Sequence, residues 1–176
     1  MNRSMNVKKM TLNAILIAIG ALLHQITPAL GLPMQPDFAL AMMFIIIIIN
    51  KDYKTTLISS IILGILTAIT TKFPGGQLPN IIDKLLTANI IYFIFNLVGE
   101  KISDNIKILL ALSLGTILSG LIFLGSASIL VGLPGPFISL IVIVVIPAAL
   151  MNILLGMILY KAITIALKIT NIVVDK

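Results

Sequence analysis

The sequence predicts an all-α polytopic membrane protein, a six-transmembrane-helix bundle formed by residues 1–176 as a single domain. Three observations predict it. Of the 176 residues, 59% are hydrophobic and only 10% charged, with mean hydropathy +1.18; ordinary globular domains are about 25% charged. Apolar runs near the length needed to cross a bilayer, about 20 residues, recur along the whole chain. Lysine and arginine gather on alternate connections between those runs.

The spans fall at roughly 8–28, 36–50, 54–71, 79–98, 106–131 and 136–160. The first follows Arg3, Lys8 and Lys9 and is apolar from Leu12 to Leu23. This layout is that of a signal peptide, but no small-x-small cleavage site follows it. It is read as an uncleaved first span. The second is short for a full crossing and suits a thinned or protein-covered region. Its run from Ile45 to Ile49 is lipid-compatible helix. The sixth contains Pro147, which predicts a kink. It continues into a less hydrophobic tail with Lys161 and Lys168. There is no internal repeat and no low-complexity linker.

Orientation follows from the basic residues. With the N-terminus inside, the inner segments hold Arg3, Lys8, Lys9, Lys51, Lys54, Lys101, Lys107, Lys161, Lys168 and Lys176, and the outer ones only Lys72 and Lys84. Ten against two places both termini in the cytoplasm. Tyr53 and Tyr160 then sit at the inner interface. The net charge of +6 is a topology signal, because no basic patch is interleaved with aromatics; no nucleic-acid partner is expected.

Each outer connection ends in a proline near a helix start: Pro36, Pro79 and Pro136. Three helix N-termini thus aim free N–H groups and positive dipole ends outward, a geometry that favours a carboxylate ligand. Proline also starts helices for no functional reason, so the pattern has a plain reading as well.

The most unusual stretch is Thr70 to Lys84. Its Pro74-Gly75-Gly76 turn interrupts two apolar runs, and its glycines permit positive φ and close approach of a ligand. Pro79 suits the first position of the next helix. Asn80, Asp83, Lys84 and Thr87 then share one helical face. A carboxylate beside an ammonium inside a membrane boundary is expensive unless it serves a purpose; the competing reading is an interfacial pair on a solvated face. The outer half also collects His24, Gln25, Thr27, Met34, Gln35, Asp37, Thr71, Lys72 and Gln77. His24 is either a packing residue or a ligand group. Asp37 is either the N-cap of the second helix or part of a site. The third outer connection, Gly132 to Pro136, is uncharged and suits covering a planar ligand.

Other chemistry is excluded. With no cysteine there is no disulfide and no thiolate. One histidine cannot build a metal site, so neither metal nor cofactor is expected. No Walker loop is present, so the chain does not hydrolyse ATP itself. From Ile108 to Tyr160 the only ionisable group is Tyr160, whereas proton-coupled carriers place acids or histidine near the midplane. Small residues at i, i+4 recur: Ala14 and Ala18; Ser60, Gly64 and Ala68; Gly115 and Ser119; Thr116 and Gly120. They let helices approach closely, either within the bundle or, for Ala14 and Ala18, against a partner.

At this point the chain resembles the substrate-binding S component of an energy-coupling factor (ECF) transporter. The likeness lies in six spans, both termini inside, the Ala14–Ala18 pair and the outer polar cluster. More closely it resembles the bacterial tryptophan transporter family. The residues that carry this are Ala18-Ile19-Gly20-Ala21-Leu22-Leu23-His24, Thr70 to Lys84, Gly115 to Gly120 and Val131 to Gly135. The run Phe73 to Asn80 with Asp83-Lys84 is the specific part.

The resemblance implies a bundle of ECF S-component type in the bacterial cell membrane, which takes up tryptophan and is not an enzyme. It implies a ligand site near the outer face, between the later helices and the outer loops. It also implies docking of the first helix onto a transmembrane coupling subunit driven by two ATPases, with toppling in the bilayer to deliver the ligand. The candidate substrate residues are Phe73, Gly75, Gly76, Gln77, Asn80, Asp83, Lys84, His24 and Asp37. Lys84 and the helix N-termini suit a carboxylate, Asp83 or Asp37 an ammonium, and Asn80, Gln77 or His24 an indole N–H. The chain departs from expectation in having no Trp and few outer aromatics; Phe38, Phe73 and Phe137 are the candidates to stack on an indole. The rival readings are an S component for a vitamin, a self-sufficient secondary amino-acid transporter, an intramembrane enzyme with only Asp37 and Asp83 to use, and a structural membrane partner.

Overall fold

A computed structural model describes residues 3–28 and 35–170, without the side chains of 3–6. Met34, assigned to the first outer connection, lies outside the described residues. Among the described residues the chain is all helical, in six helices: α1 (Arg3–Ile26), α2 (Phe38–Asn50), α3 (Tyr53–Thr70), α4 (Gln77–Val98), α5 (Asp104–Leu130) and α6 (Phe137–Ile169). All but α2 are long and apolar enough to cross a membrane.

The short helix is the centre of the bundle. At 13 residues α2 rises only about 20 Å, less than the ~30 Å of a bilayer's hydrocarbon core. It is apolar on every side, the pattern of a helix surrounded by protein. Phe38 to Ile48 are buried throughout, packed among α1, α3, α4, α5 and α6. The shortness therefore never meets lipid. Asp37 sets its start by accepting the Leu40 N–H at 3.1 Å. Lys51 ends it in the left-handed region with φ 51 and returns its N–H to the Ile47 carbonyl.

Around this core, α3 and α4 form the most extensive helix pair. Ser60, Gly64 and Ala68 are all buried on α3. A Cβ on Gly64 would lie 3.3 Å from Ile81 Cα, so the missing side chain is what lets the two backbones close. That approach buries the face of α4 carrying Asn80, Asp83, Lys84 and Thr87. On the other side, Gly20 of α1 meets α2, where an added Cβ would stand 3.1 Å from Met42 Cβ.

Both later helices carry a single π turn, at Ala111–Gly115 in α5 and Ile141–Val145 in α6. The second immediately precedes Ile146-Pro147, so the irregularity expected at Pro147 takes this form. The sixth helix also runs on to Ile169, well past the expected end at 160. Helix α4 begins at Gln77, which puts Pro79 in the third helical position rather than the first; it is still within the opening turn, where no intrahelical N–H bond is lost.

At the lysine-rich end, Asn13 and Asn50 exchange reciprocal amide hydrogen bonds at 3.2 and 2.9 Å. Lys51 pairs with Asp104 at 3.2 Å, joining the α2–α3 turn to the start of α5. Tyr53 is exposed and packs against Tyr92 in a tilted arrangement, with ring centroids 5.4 Å apart. Tyr160 is buried against the main core.

Candidate functional site

The opposite end of the bundle holds the unusual polar groups. Lys84 is completely buried near the start of α4. Its ammonium lies 2.6 Å from Asp83 Oδ2 and is also ion-paired with Asp37 Oδ2. Thr87, one turn on, donates to Asp83 Oδ1 at 2.9 Å. The two readings of Asp37 thus hold together: one oxygen caps α2 while the other reaches across to α4. A buried charge needs a partner and further hydrogen bonds to be tolerated, and this cluster supplies both. The interfacial, solvated alternative for Asp83 and Lys84 does not hold.

A second network sits beside it. His24, in the last turn of α1, has its Nδ1 2.8 Å from Thr70 Oγ1 and 3.0 Å from Gln35 Nε2. The Gln35 amide also donates to the His24 carbonyl at 2.6 Å. Its Oε1 is buried and has no hydrogen-bond partner among the described residues. Lys72 donates to the Thr27 carbonyl, tying the α3–α4 loop to the end of α1.

These networks line one cavity of about 40 Å³. One wall is polar, with His24, Gln35, Asp37, Lys72, Asn80 and Asp83; Thr116 and Ser119 of α5 face it. The rest is apolar, with Phe73 and Phe123 edge to face at a centroid distance of 5.3 Å, then Leu40, Gly120, Val145 and Ala148. At ~10–15 Å³ for each water, the space suits a few waters. A ligand of indole size is admitted only if a wall moves outward.

Of the expected residues, the structure brings His24, Asp37, Phe73, Asn80 and Asp83 to the cavity wall, with Lys84 directly behind the two aspartates. Asn80 Nδ2 is turned back to the Gly76 carbonyl at 2.8 Å. Gln77 is exposed outside the wall. Gly75 and Gly76 shape the loop without lining the cavity. Gly75 has the expected positive φ of 73, but Gly76 does not, with φ −72 as the residue before α4. What restricts Gly76 is space: a Cβ there would lie 2.9 Å from Thr71 Oγ1. Of the three aromatic candidates only Phe73 lines the cavity, and its partner is Phe123 rather than Phe38 or Phe137.

The α5 and α6 wall is absent from the candidate site residues, although the resemblance implies a site between the later helices and the outer loops. Thr116, Ser119 and Gly120 enter the sequence reading as small-residue pairs and within the Gly115–Gly120 block that carries the resemblance, and Val145 and Ala148 read as ordinary lipid-facing helix. The signal was irregular backbone: Thr116 directly follows one π turn, and Val145 ends the other. π turns favour functional sites, but nothing in residue composition reveals them.

Residues 6–168 match the profile of a family described as "Tryptophan transporter TrpP". The chain belongs to this family. Relatives named "Probable tryptophan transport protein" are found in Clostridium perfringens (49% identical, covering 96% of this chain and 97% of the relative), Clostridium acetobutylicum (44%; 94% and 96%) and Bacillus subtilis (40%; 93% and 95%). No solved structure matches the chain. TrpP is a family of transporters rather than enzymes, which disposes of the intramembrane-enzyme reading. Five membrane-length helices fit a multi-pass TrpP protein. The match covers nearly every element described above, the cavity-forming ends of α1 to α6 included.

Proposed function

We propose that this chain is the membrane-embedded, high-affinity substrate-binding subunit for tryptophan uptake, an S component working with an ATP-driven coupling module. The observation that carries the reading is the cavity itself: a charged cluster of Asp37, Lys84 and Asp83 on one side, aromatic Phe73 and Phe123 on the other. An amino-acid head group matches the first and an indole the second. Family membership and the names of the relatives support tryptophan. Asp83, Lys84, Asn80, His24, Asp37 and Phe73 form the site, and Gly75 and Gly76 shape its loop. Gln77 lies at its margin.

Docking of a coupling subunit, driven by two ATPases, is assigned to Ala14 and Ala18. Both are exposed on α1, whereas Leu16 and Ile17 are buried in the core and Gly20 meets α2. They form a shallow stripe that a second helix can approach. The lysine distribution supports a bacterial plasma-membrane protein with both termini cytoplasmic.

Uptake of labelled tryptophan in cells lacking their own tryptophan transporters tests this reading. Uptake is expected when the chain is expressed with a coupling module and not when that module's ATPases are inactivated. Tryptophan accumulation by the chain alone in proteoliposomes would instead support a secondary transporter.

A further inference from the structure

We infer that the cavity reads the two ends of an amino-acid zwitterion on different elements: the ammonium on Asp37 of the aspartate pair, and the carboxylate on Lys72 of the α3–α4 loop. This rests on the proposed tryptophan reading and fixes the orientation of the ligand within it.

Lys84 was the obvious carboxylate ligand, and its surroundings argue against that role. Its ammonium already contacts both aspartates and is wholly buried. Both aspartates are on the cavity wall, and Lys84 is behind them. By formal charge the cluster sets two carboxylates against one ammonium, which leaves it one negative charge in excess. Such a site attracts a cation and repels a further carboxylate. Asp37 is the reachable one: its side chain is 20% exposed and that of Asp83 only 2%.

Lys72 has the complementary character. It lines the same cavity and is exposed to solvent. Its hydrogen bond goes to a neutral acceptor, the Thr27 carbonyl, and among the described residues it has no carboxylate partner. Exchange of that carbonyl for a ligand carboxylate turns a neutral hydrogen bond into a charge-assisted one. With the ammonium on Asp37 and the carboxylate on Lys72, the excess charge of the cluster is balanced.

Equilibrium binding of L-tryptophan, tryptamine and indole-3-propionate to the detergent-purified chain tests the assignment, on wild type, Lys72→Met, Lys72→Arg and Asp37→Asn. Wild type is expected to bind tryptophan best and indole-3-propionate worst. Lys72→Met is expected to weaken tryptophan roughly 10- to 100-fold, the range for a lost charged hydrogen bond, and to leave tryptamine within about twofold. Lys72→Arg restores tryptophan binding. Asp37→Asn weakens tryptophan and tryptamine together. Unchanged tryptophan affinity in Lys72→Met overturns the assignment, whatever the analogues do. So does a wild-type preference for indole-3-propionate over tryptamine, which would return the carboxylate to Lys84. Failure of wild type to bind tryptophan at all instead removes the substrate reading on which the assignment stands.

Discussion

Asp37 caps α2 with one carboxylate oxygen and pairs with Lys84 of α4 through the other. This single side chain ties the start of the buried central helix to the wall of the cavity. Any movement of α2 relative to α4 must break or carry this contact. The site and the core are therefore mechanically joined.

Removing Lys84 leaves two largely buried carboxylates facing each other without a cation between them. Lys84→Met is expected to lower stability by about 3–5 kcal/mol, the cost of breaking a buried ion pair from one side. Asp37→Asn leaves the Asp83–Lys84 pair intact and is expected to cost less. The triple change Lys84→Met, Asp37→Asn, Asp83→Asn is expected to regain part of the loss, because no unpaired charge remains. Thermal unfolding in detergent, followed by circular dichroism, gives the ranking; a Lys84→Met variant as stable as wild type would show that the cluster is not coupled as described.

Gly120 marks one close approach of α5 to α6; Gly156, where a Cβ would fall 2.4 Å from Leu112 Cδ2, marks another. A Cβ on Gly120 would fall 2.5 Å from Val145 Cγ1 and 2.7 Å from Cγ2. Gly120→Ala is expected to destabilise by about 1–3 kcal/mol through overpacking. Val145→Ala removes both methyls, so the double variant is expected to be more stable than the sum of the two single losses. The coupling energy from a double-mutant cycle checks this, and simple additivity would place the strain elsewhere.

Much of this was legible in the residues. The six helices and the shared face of Asn80, Asp83, Lys84 and Thr87 follow from periodicity and hydropathy. The setting of the second helix does not: its length fits a thinned or a protein-covered region alike, and its Ile45 to Ile49 run reads as lipid-compatible although Ile45 to Ile48 are buried in the core. Nor does the ion pair between Asp37 and Lys84, because pairing across α2 and α4 depends on how deeply Gly64 lets α3 and α4 close. The α5 and α6 wall was hidden for a related reason. In a lipid-solvated chain, hydropathy no longer separates inside from outside, so Val145 of the cavity and exposed Val142 read alike. The choice of Phe123 over Phe38 and Phe137 likewise depends on helix rotation, which apolar composition leaves open.

Among the described residues, Ala14 and Ala18 are exposed on α1, so bulk added there projects away from the described bundle. Ala14→Leu with Ala18→Leu is expected to leave thermal stability within ~0.5 kcal/mol and tryptophan affinity unchanged, and to abolish uptake by the assembled system. Stability, affinity and cellular uptake measured on the same double variant settle it. Normal uptake rejects the docking role. Parallel loss of binding and stability would mean that the two alanines pack inside after all.

The most direct test of the central claim is a thermal-shift titration of the purified chain, alone in detergent, with tryptophan. A ligand held by this cavity stabilises the fold by roughly 2.7 kcal/mol at 100 times its dissociation constant. Wild type is expected to show a saturable upward shift with tryptophan and none with alanine, which lacks the indole. The shift is expected to be much reduced in Asp37→Asn. No shift in wild type, or an equal shift in wild type and Asp37→Asn, would contradict tryptophan recognition by the Asp37–Lys84–Asp83 cavity.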